Sequence, residues 1–209
     1  MNDTLQTLTT HYPELTPLCG ELEAVFDALC ATFRSGGKLL LCGNGGSAAD
    51  CEHIVGELMK GFRKKRPLPA AQQQALQAAG MAEAQCARLQ GGLPAVSLAG
   101  HAALRTAIAN DTDPALSFAQ QVVGLGRPGD ALLAISTSGN AENVAAAAIT
   151  ARAMGLTTIA LTGRGGGQLA ALCDHALRVP ADETYRVQEY HLPVYHALCA
   201  MLEDAFFAE

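Results

Sequence analysis

Lys38-Leu39-Leu40-Leu41-Cys42 runs directly into Gly43-Asn44-Gly45-Gly46-Ser47. An apolar run closed by glycine and asparagine reads as a buried strand that ends in a tight turn. A helical pattern then runs from Ser47 to Phe62. Ala131-Leu132-Leu133-Ala134-Ile135 repeats the arrangement, breaking into Ser136-Thr137-Ser138-Gly139-Asn140 ahead of a helix over Glu142–Met154. Thr157-Thr158-Ile159-Ala160-Leu161 does so again, ending in Thr162-Gly163-Arg164-Gly165-Gly166-Gly167. Ala95-Val96-Ser97-Leu98 and Ala176-Leu177-Arg178-Val179 add two more short apolar runs. Continuously apolar strands need cover on both faces, so the sheet is expected to be largely parallel. With an amphipathic leader near residues 14–35 and a closing helix over Glu183–Phe207, the alternation predicts a doubly wound α/β sandwich.

The chain has 209 residues, enough to bury a core of its own, and no linker or internal repeat divides it. It therefore reads as one domain over 1–209, with a helical leader over about 1–36 and an inserted segment over about 68–92. A formal net charge of −6 argues against a nucleic-acid partner, which selects basic surfaces. The one basic run, Arg63-Lys64-Lys65-Arg66, reads as a solvated helix end, or else as a rim that attracts an anion. Seven scattered cysteines form no C-x-x-C pair and no zinc-finger spacing. Met1-Asn2-Asp3-Thr4 lacks the basic start of a signal peptide, and no apolar run reaches the ~20 residues of a membrane span. A cytoplasmic protein without a membrane partner is the expectation.

Ligands of such sheets sit beyond the carboxyl ends of the strands. The Gly43–Ser47 turn lets the backbone approach a ligand and opens a helix, whose first N–H groups are free to bind an anion. Ser47 is placed either to cap that helix or to bond a ligand oxygen. Ser136, Thr137 and Ser138 cluster three hydroxyls beside Gly139, as an anion nest requires. No Walker lysine follows either loop, which argues against a nucleotide triphosphatase. The two loops are expected to converge on one phosphate.

His53 and Glu57 are four residues apart and share a helix face; Gln188 and His196 are eight apart on the closing helix. Two imidazoles, a carboxylate and an amide oxygen form an acceptable zinc set, and the same Glu and His serve equally as general base and acid.

At these residues the chain resembles the SIS (sugar isomerase) family, and within it the bacterial phosphoheptose isomerases. The matching segments are Cys42–Ser47, His53 with Glu57, Ala109-Asn110-Asp111, Ile135–Asn140, Leu161-Thr162-Gly163, and Gln188-Glu189 with His196. The resemblance implies a three-layer sandwich on a five-stranded parallel sheet, and a homotetramer with sites between subunits. It implies interconversion of sedoheptulose 7-phosphate and D-glycero-D-manno-heptose 7-phosphate. It assigns the base to Glu57, its acid/base partner to His196, and one zinc per subunit to His53, Glu57, Gln188 and His196. Substrate contacts fall on Asn44, Gly45, Gly46, Ser47, Asn110, Asp111, Ser136, Thr137, Ser138 and Gln188. The rival is a non-catalytic SIS protein that senses phosphosugars or associates with the DnaA initiator; the initiator-binding relatives lack the glutamate and the final histidine that Glu57 and His196 supply here.

Three features depart from the family pattern. Roughly two dozen residues intervene between Arg66-Pro67 and the second strand, where Ala70–Gln90 has high helix propensity and is expected to pack near the site mouth and limit substrate size. Ala141 follows Asn140 in place of a frequent serine, and Pro193 is expected to kink the last helix. The leader stripe of Leu15, Leu18, Leu22, Val25, Phe26 and Leu29 carries more apolar surface than one small sheet covers, which points to assembly through helices.

Overall fold

The structure is a computed structural model that describes residues 3–207. Five strands form the sheet: β1 (Leu39–Gly43), β2 (Ala95–Ser97), β3 (Ala131–Ser136), β4 (Thr157–Thr162) and β5 (His175–Arg178). Their order is β2-β1-β3-β4-β5, and every pair is parallel. From β1 the chain steps to one side to make β2, then crosses back to make β3 on the other. The direction of winding therefore reverses between β1 and β3, which creates a crevice at their carboxyl ends.

Helices α1 (Asp3–His11) and α2 (Cys19–Arg34) precede β1, and α3 (Gly46–Met59) follows it. Next come α4 (Ala70–Ala78) and α5 (Glu83–Cys86) before β2, then α6 (Ala102–Asp111) and α7 (Ala119–Leu125) before β3. Helix α8 (Glu142–Ala153) links β3 to β4, α9 (Leu169–Leu172) links β4 to β5, and α10 (Thr184–Phe206) closes the chain. Alternation along each strand makes the three layers. Leu39, Leu41, Leu133 and Ile135 pack with α2, α3 and α10 on one face. Leu40, Cys42, Leu132 and Ala134 pack with α7 and α8 on the other.

The leader is not one helix, because Pro13 and Pro17 bracket a 3₁₀ turn over Pro13–Leu18 between α1 and α2. Its apolar stripe is consumed inside the chain: Leu15, Leu22 and Val25 are fully buried and Phe26 packs against the same core, so the stripe gives no argument for assembly. The inserted segment forms two helices rather than one, broken at Gly80, whose φ is +102°. Helix α4 buries no side chain, while α5 buries Cys86. Helix α10 runs unbroken through Pro193. The carbonyl deprived of its partner belongs to Glu189, an exposed residue that water reaches.

The basic run divides: Arg63 and Lys65 stay exposed, but Arg66 is buried. Arg66 and Glu203 form an ion pair at 2.9 Å with both side chains wholly buried. The guanidinium also donates to the carbonyls of Leu58 (2.7 Å) and Glu57 (2.9 Å), which the last turn of α3 leaves without helical partners. Glu203 accepts the N–H groups of Phe62 (2.9 Å) and Arg63 (2.8 Å). Burial alone raises a carboxyl's pKa, but these donors and Arg66 outweigh it and hold Glu203 below the ordinary range. Arg63 and Lys64 pair with Asp204 at 2.7 and 2.9 Å. The end of α3 is thereby fastened to the end of α10.

Glu203→Gln leaves the Arg66 charge buried without its counter-ion, and is expected to lower the unfolding free energy by about 3–5 kcal/mol in urea titrations. Arg66→Met with Glu203→Leu should restore only part of that loss, because it removes the unpaired charge but leaves the backbone groups of Glu57, Phe62 and Arg63 without their partners; a Glu203→Gln cost under about 1 kcal/mol contradicts the clamp.

His191 on α10 is fully buried, and neither ring nitrogen has a hydrogen-bond partner of good geometry. Burial pushes its pKa down to about 4, with the Thr162 carbonyl pulling weakly the other way. Unfolded, the ring protonates near its ordinary value of about 6.5. Between those values the unfolded chain binds more protons, so His191's contribution to stability is whole above pH ~6.5 and is lost as pH falls toward 4. That difference is about 3 kcal/mol. His191→Leu should show a visibly shallower fall of the urea midpoint over this range than the unsubstituted chain; parallel curves contradict it.

Candidate active site

The register pairs Gly43 with Ile135 and Ser136 with Thr162, so the loops after β1, β3 and β4 line one edge of the sheet, the first two flanking the crevice. A side chain on Gly43 would press on the backbone of Ser47, which marks how tightly the first turn folds back. Gly45 has a φ of +56° and is the N-cap of α3. Ser47 therefore sits inside the first turn, 3% exposed, and does not cap the helix. Asn44 exchanges two amide hydrogen bonds with Asn143 of α8, at 2.8 and 3.0 Å, across the winding reversal.

In the second loop Ser136 is buried, Thr137 half-buried and Ser138 exposed. The third loop supports the second. Gly163 N–H donates to the Thr137 carbonyl (3.0 Å), Leu169 N–H to the Gly139 carbonyl (3.1 Å) and Gln168 N–H to Asn140 Oδ1 (3.0 Å). Gly139 has a φ of +68°, and a Cβ there would run into the Gly166 carbonyl. Asn110 and Asp111 lie exposed at the end of α6 and bond to each other at 2.8 Å. Ala109 beside them lines, with Asn143, a cavity of about 380 Å³, which brings this end of α6 toward the first loop.

Farther along α3, His53 Nε2 lies 3.1 Å from Glu57 Oε1 and 3.4 Å from His196 Nε2 on α10. The ligand atoms of these three residues all fall within 4.8 Å of one another. Two histidines and a carboxylate are the donor set of one group of catalytic zinc sites, and a tetrahedron of ~2.0–2.1 Å bonds has edges of about 3.4 Å. The residues present fit such an ion. Burial lowers the pKa of His196, neighbouring His53 lowers it further, and Glu57 opposes both. The ring of Phe62 flanks His196 at 5.5 Å between centroids. A cavity of about 420 Å³ opens beside His196, lined also by His11, Tyr12, Phe62 and Arg63.

Gln188 lies apart from the trio. Its amide packs against Gly46, seven residues and about 10 Å of helix rise before His53. Two polar residues that the sequence motifs do not single out stand behind His53: Tyr195, whose hydroxyl is 2.9 Å from Nδ1, and Asp50, 3.3 Å from that hydroxyl. Asp50 is three residues before His53, a spacing on which a search for helical neighbours would have found it. Tyr195 carries no such signal, being adjacent to His196 in sequence.

Family models described as SIS domain match residues 94–203 and 16–93. The phosphoheptose isomerase of Trichlorobacter lovleyi is 42% identical over 194 residues, which span 93% of this chain and 85% of that protein. Among solved structures, a phosphoheptose isomerase from Neisseria gonorrhoeae matches with a TM-score of 0.69 at 32% identity, covering 95% of this chain and 98% of that one. Another, from Francisella tularensis, matches with a TM-score of 0.72 at 30% identity, covering 96% and 92%.

The buttressed second loop makes a test of its own. Gly139→Ala should lower Tm and also reduce the rise in Tm that added inorganic phosphate produces, because both the loop's conformation and its support are disturbed. Gly36→Ala, where φ is +82° and no atom lies within 4 Å of the new methyl, should lower Tm while leaving the phosphate response intact. Equal phosphate responses in the two variants contradict an anion site at this loop.

Proposed function

The chain belongs to the SIS domain family, and from that membership we propose that it is a sugar-phosphate aldose–ketose isomerase, interconverting sedoheptulose 7-phosphate and D-glycero-D-manno-heptose 7-phosphate. The observation that carries the chemistry is the meeting of a carboxylate and two imidazoles from α3 and α10. The phosphate is held by Ser47, Ser136, Thr137 and Ser138, with Asn44, Gly45 and Gly46 shaping the first loop and Asn110 and Asp111 approaching the sugar.

The reaction moves a proton between C1 and C2 beside a carbonyl. Glu57 takes that proton from one carbon and returns it to the other; His196 serves the oxygens, giving a proton to the carbonyl as it becomes a hydroxyl and taking one from its neighbour. One zinc per subunit would be held by His53, Glu57 and His196, with Gln188 as the fourth ligand of the proposed set. When bound, it would polarise the substrate oxygens beside the reacting carbons. Glu57 Oε1 faces His53 at 3.1 Å, while Oε2 is turned toward Lys60, 3.8 Å away.

Assembly as a homotetramer with sites between subunits is part of the proposal. It is supported by the distance of Gln188 from the trio, which leaves the four-ligand set incomplete within one chain, and by exposed apolar residues such as Val123 and Ile149. A single domain over 1–209 and a cytoplasmic location complete the reading. The seven cysteines are free thiols, as a reducing compartment keeps them. No helix among the described residues is long and apolar enough to cross a membrane. The inserted helices stem from the end of α3, where Gln90 accepts the Gly61 N–H at 2.8 Å, and are proposed to bound the space for the sugar.

Incubation of the zinc-loaded protein with sedoheptulose 7-phosphate should yield the aldose, followed by NMR of the anomeric protons. Glu57→Gln keeps shape and a ligand oxygen but no basicity, so turnover should fall by about 10²–10⁴-fold while the substrate still binds. Near-normal turnover in Glu57→Gln excludes it as the base. Binding without conversion by the unsubstituted protein favours a sensor of phosphosugars instead.

A further inference from the structure

The residues assigned to catalysis leave two polar groups behind His53 without a role. Tyr195 is 2% exposed, yet its hydroxyl lies 2.9 Å from His53 Nδ1, and the two rings meet edge-on with centroids 5.4 Å apart. The same hydroxyl is 3.3 Å from Asp50 Oδ1, and Asp50 Oδ2 is buried with no hydrogen-bond partner.

Resting on the reading of His53, Glu57 and His196 as a zinc site, we propose that Tyr195, backed by Asp50, is a positioning residue of that site, accepting Nδ1–H from His53 and donating to Asp50 so that the Nε2 lone pair faces Glu57 and His196. A neutral imidazole has one N–H to place. With no cation present, Glu57 Oε1 at 3.1 Å draws that proton to Nε2, and a protonated Nε2 is no ligand. The alternative tautomer needs an acceptor at Nδ1. A hydroxyl is both donor and acceptor, so Tyr195 fills either role by turning its proton. With Nε2–H, the phenol donates to Nδ1; with Nδ1–H, the phenol oxygen accepts and its proton turns to Asp50. One imidazole proton changes nitrogen, one phenol proton changes acceptor, and none is gained or lost. Removing the hydroxyl leaves the Nδ1–H facing a phenyl ring and the ligating tautomer without its partner.

The test is zinc affinity, measured by competition with a chromophoric chelator on the full chain and on Tyr195→Phe, with circular dichroism and urea unfolding as checks of fold. The expected result is one zinc per chain in the unsubstituted protein and about 10–100-fold weaker binding in Tyr195→Phe. Equal affinities overturn the positioning role and leave the zinc site standing. No zinc bound by the unsubstituted protein overturns the zinc site and the positioning role together. Should Tyr195→Phe fail to fold, ¹⁵N NMR of the zinc-loaded unsubstituted protein decides the matter. A protonated Nδ1 and metal-bound Nε2 at His53 support the proposal; a metal-bound Nδ1 or a protonated Nε2 overturns it.

Discussion

Arg66 and Glu203 are both withdrawn from water, and a charge so placed is tolerable only if every donor and acceptor around it is used. Here the pair achieves this with the backbone on either side of the active helices. The guanidinium caps the carbonyls of Glu57 and Leu58, and the carboxylate gathers the N–H groups of Phe62 and Arg63. The Phe207 ring lies against Arg66, 4.4 Å from guanidinium carbon to centroid. Helices α3 and α10 are thus fastened to each other at their ends. His53 and Glu57 on one then face His196 on the other.

The second constraint is topological. Strand order reverses between β1 and β3, and the chain places its two most polar turns on either side of that reversal. Neutral donors line the crevice: hydroxyls from one loop, glycine backbone from the other, and an Asn44–Asn143 amide pair across it. A phosphate bound there, as proposed, would need no lysine, and the acidic balance of the chain would be no obstacle to it. The third glycine loop carries no hydroxyl cluster and works as a support for the second, through Gly163, Leu169 and Gln168.

Much of this is legible in the chain without its structure. The five strands are, because each is an apolar run between turn residues, and their bounds differ from the apolar runs by a residue or so. The His53–Glu57 pair is, because helical spacing alone puts residues four apart on one face. Helices α6 and α7 are not, since α6 mixes alanine with polar residues and buries only Ile108, and α7 is seven residues long, too short for a helical period to show. The clamp is not, because 137 residues separate Arg66 from Glu203 and an arginine in a basic run reads as a surface residue. The leader stripe misleads for a related reason: periodicity shows that a face is apolar, but not whether the same chain or another copy covers it.

In the proposed reaction the clamp, the two helices and the carboxylate serve a single event, the transfer of a proton between neighbouring carbons by Glu57. A base that exchanges its proton with water leaves a mark in heavy water. Sedoheptulose 7-phosphate converted by the zinc-loaded protein in D₂O should give an aldose carrying deuterium at C2, read by proton NMR and mass spectrometry. An aldose formed at full rate with only protium at C2, in Glu57→Gln as in the unsubstituted protein, would mean that hydrogen passes between the carbons without this base, and would contradict the role given to Glu57.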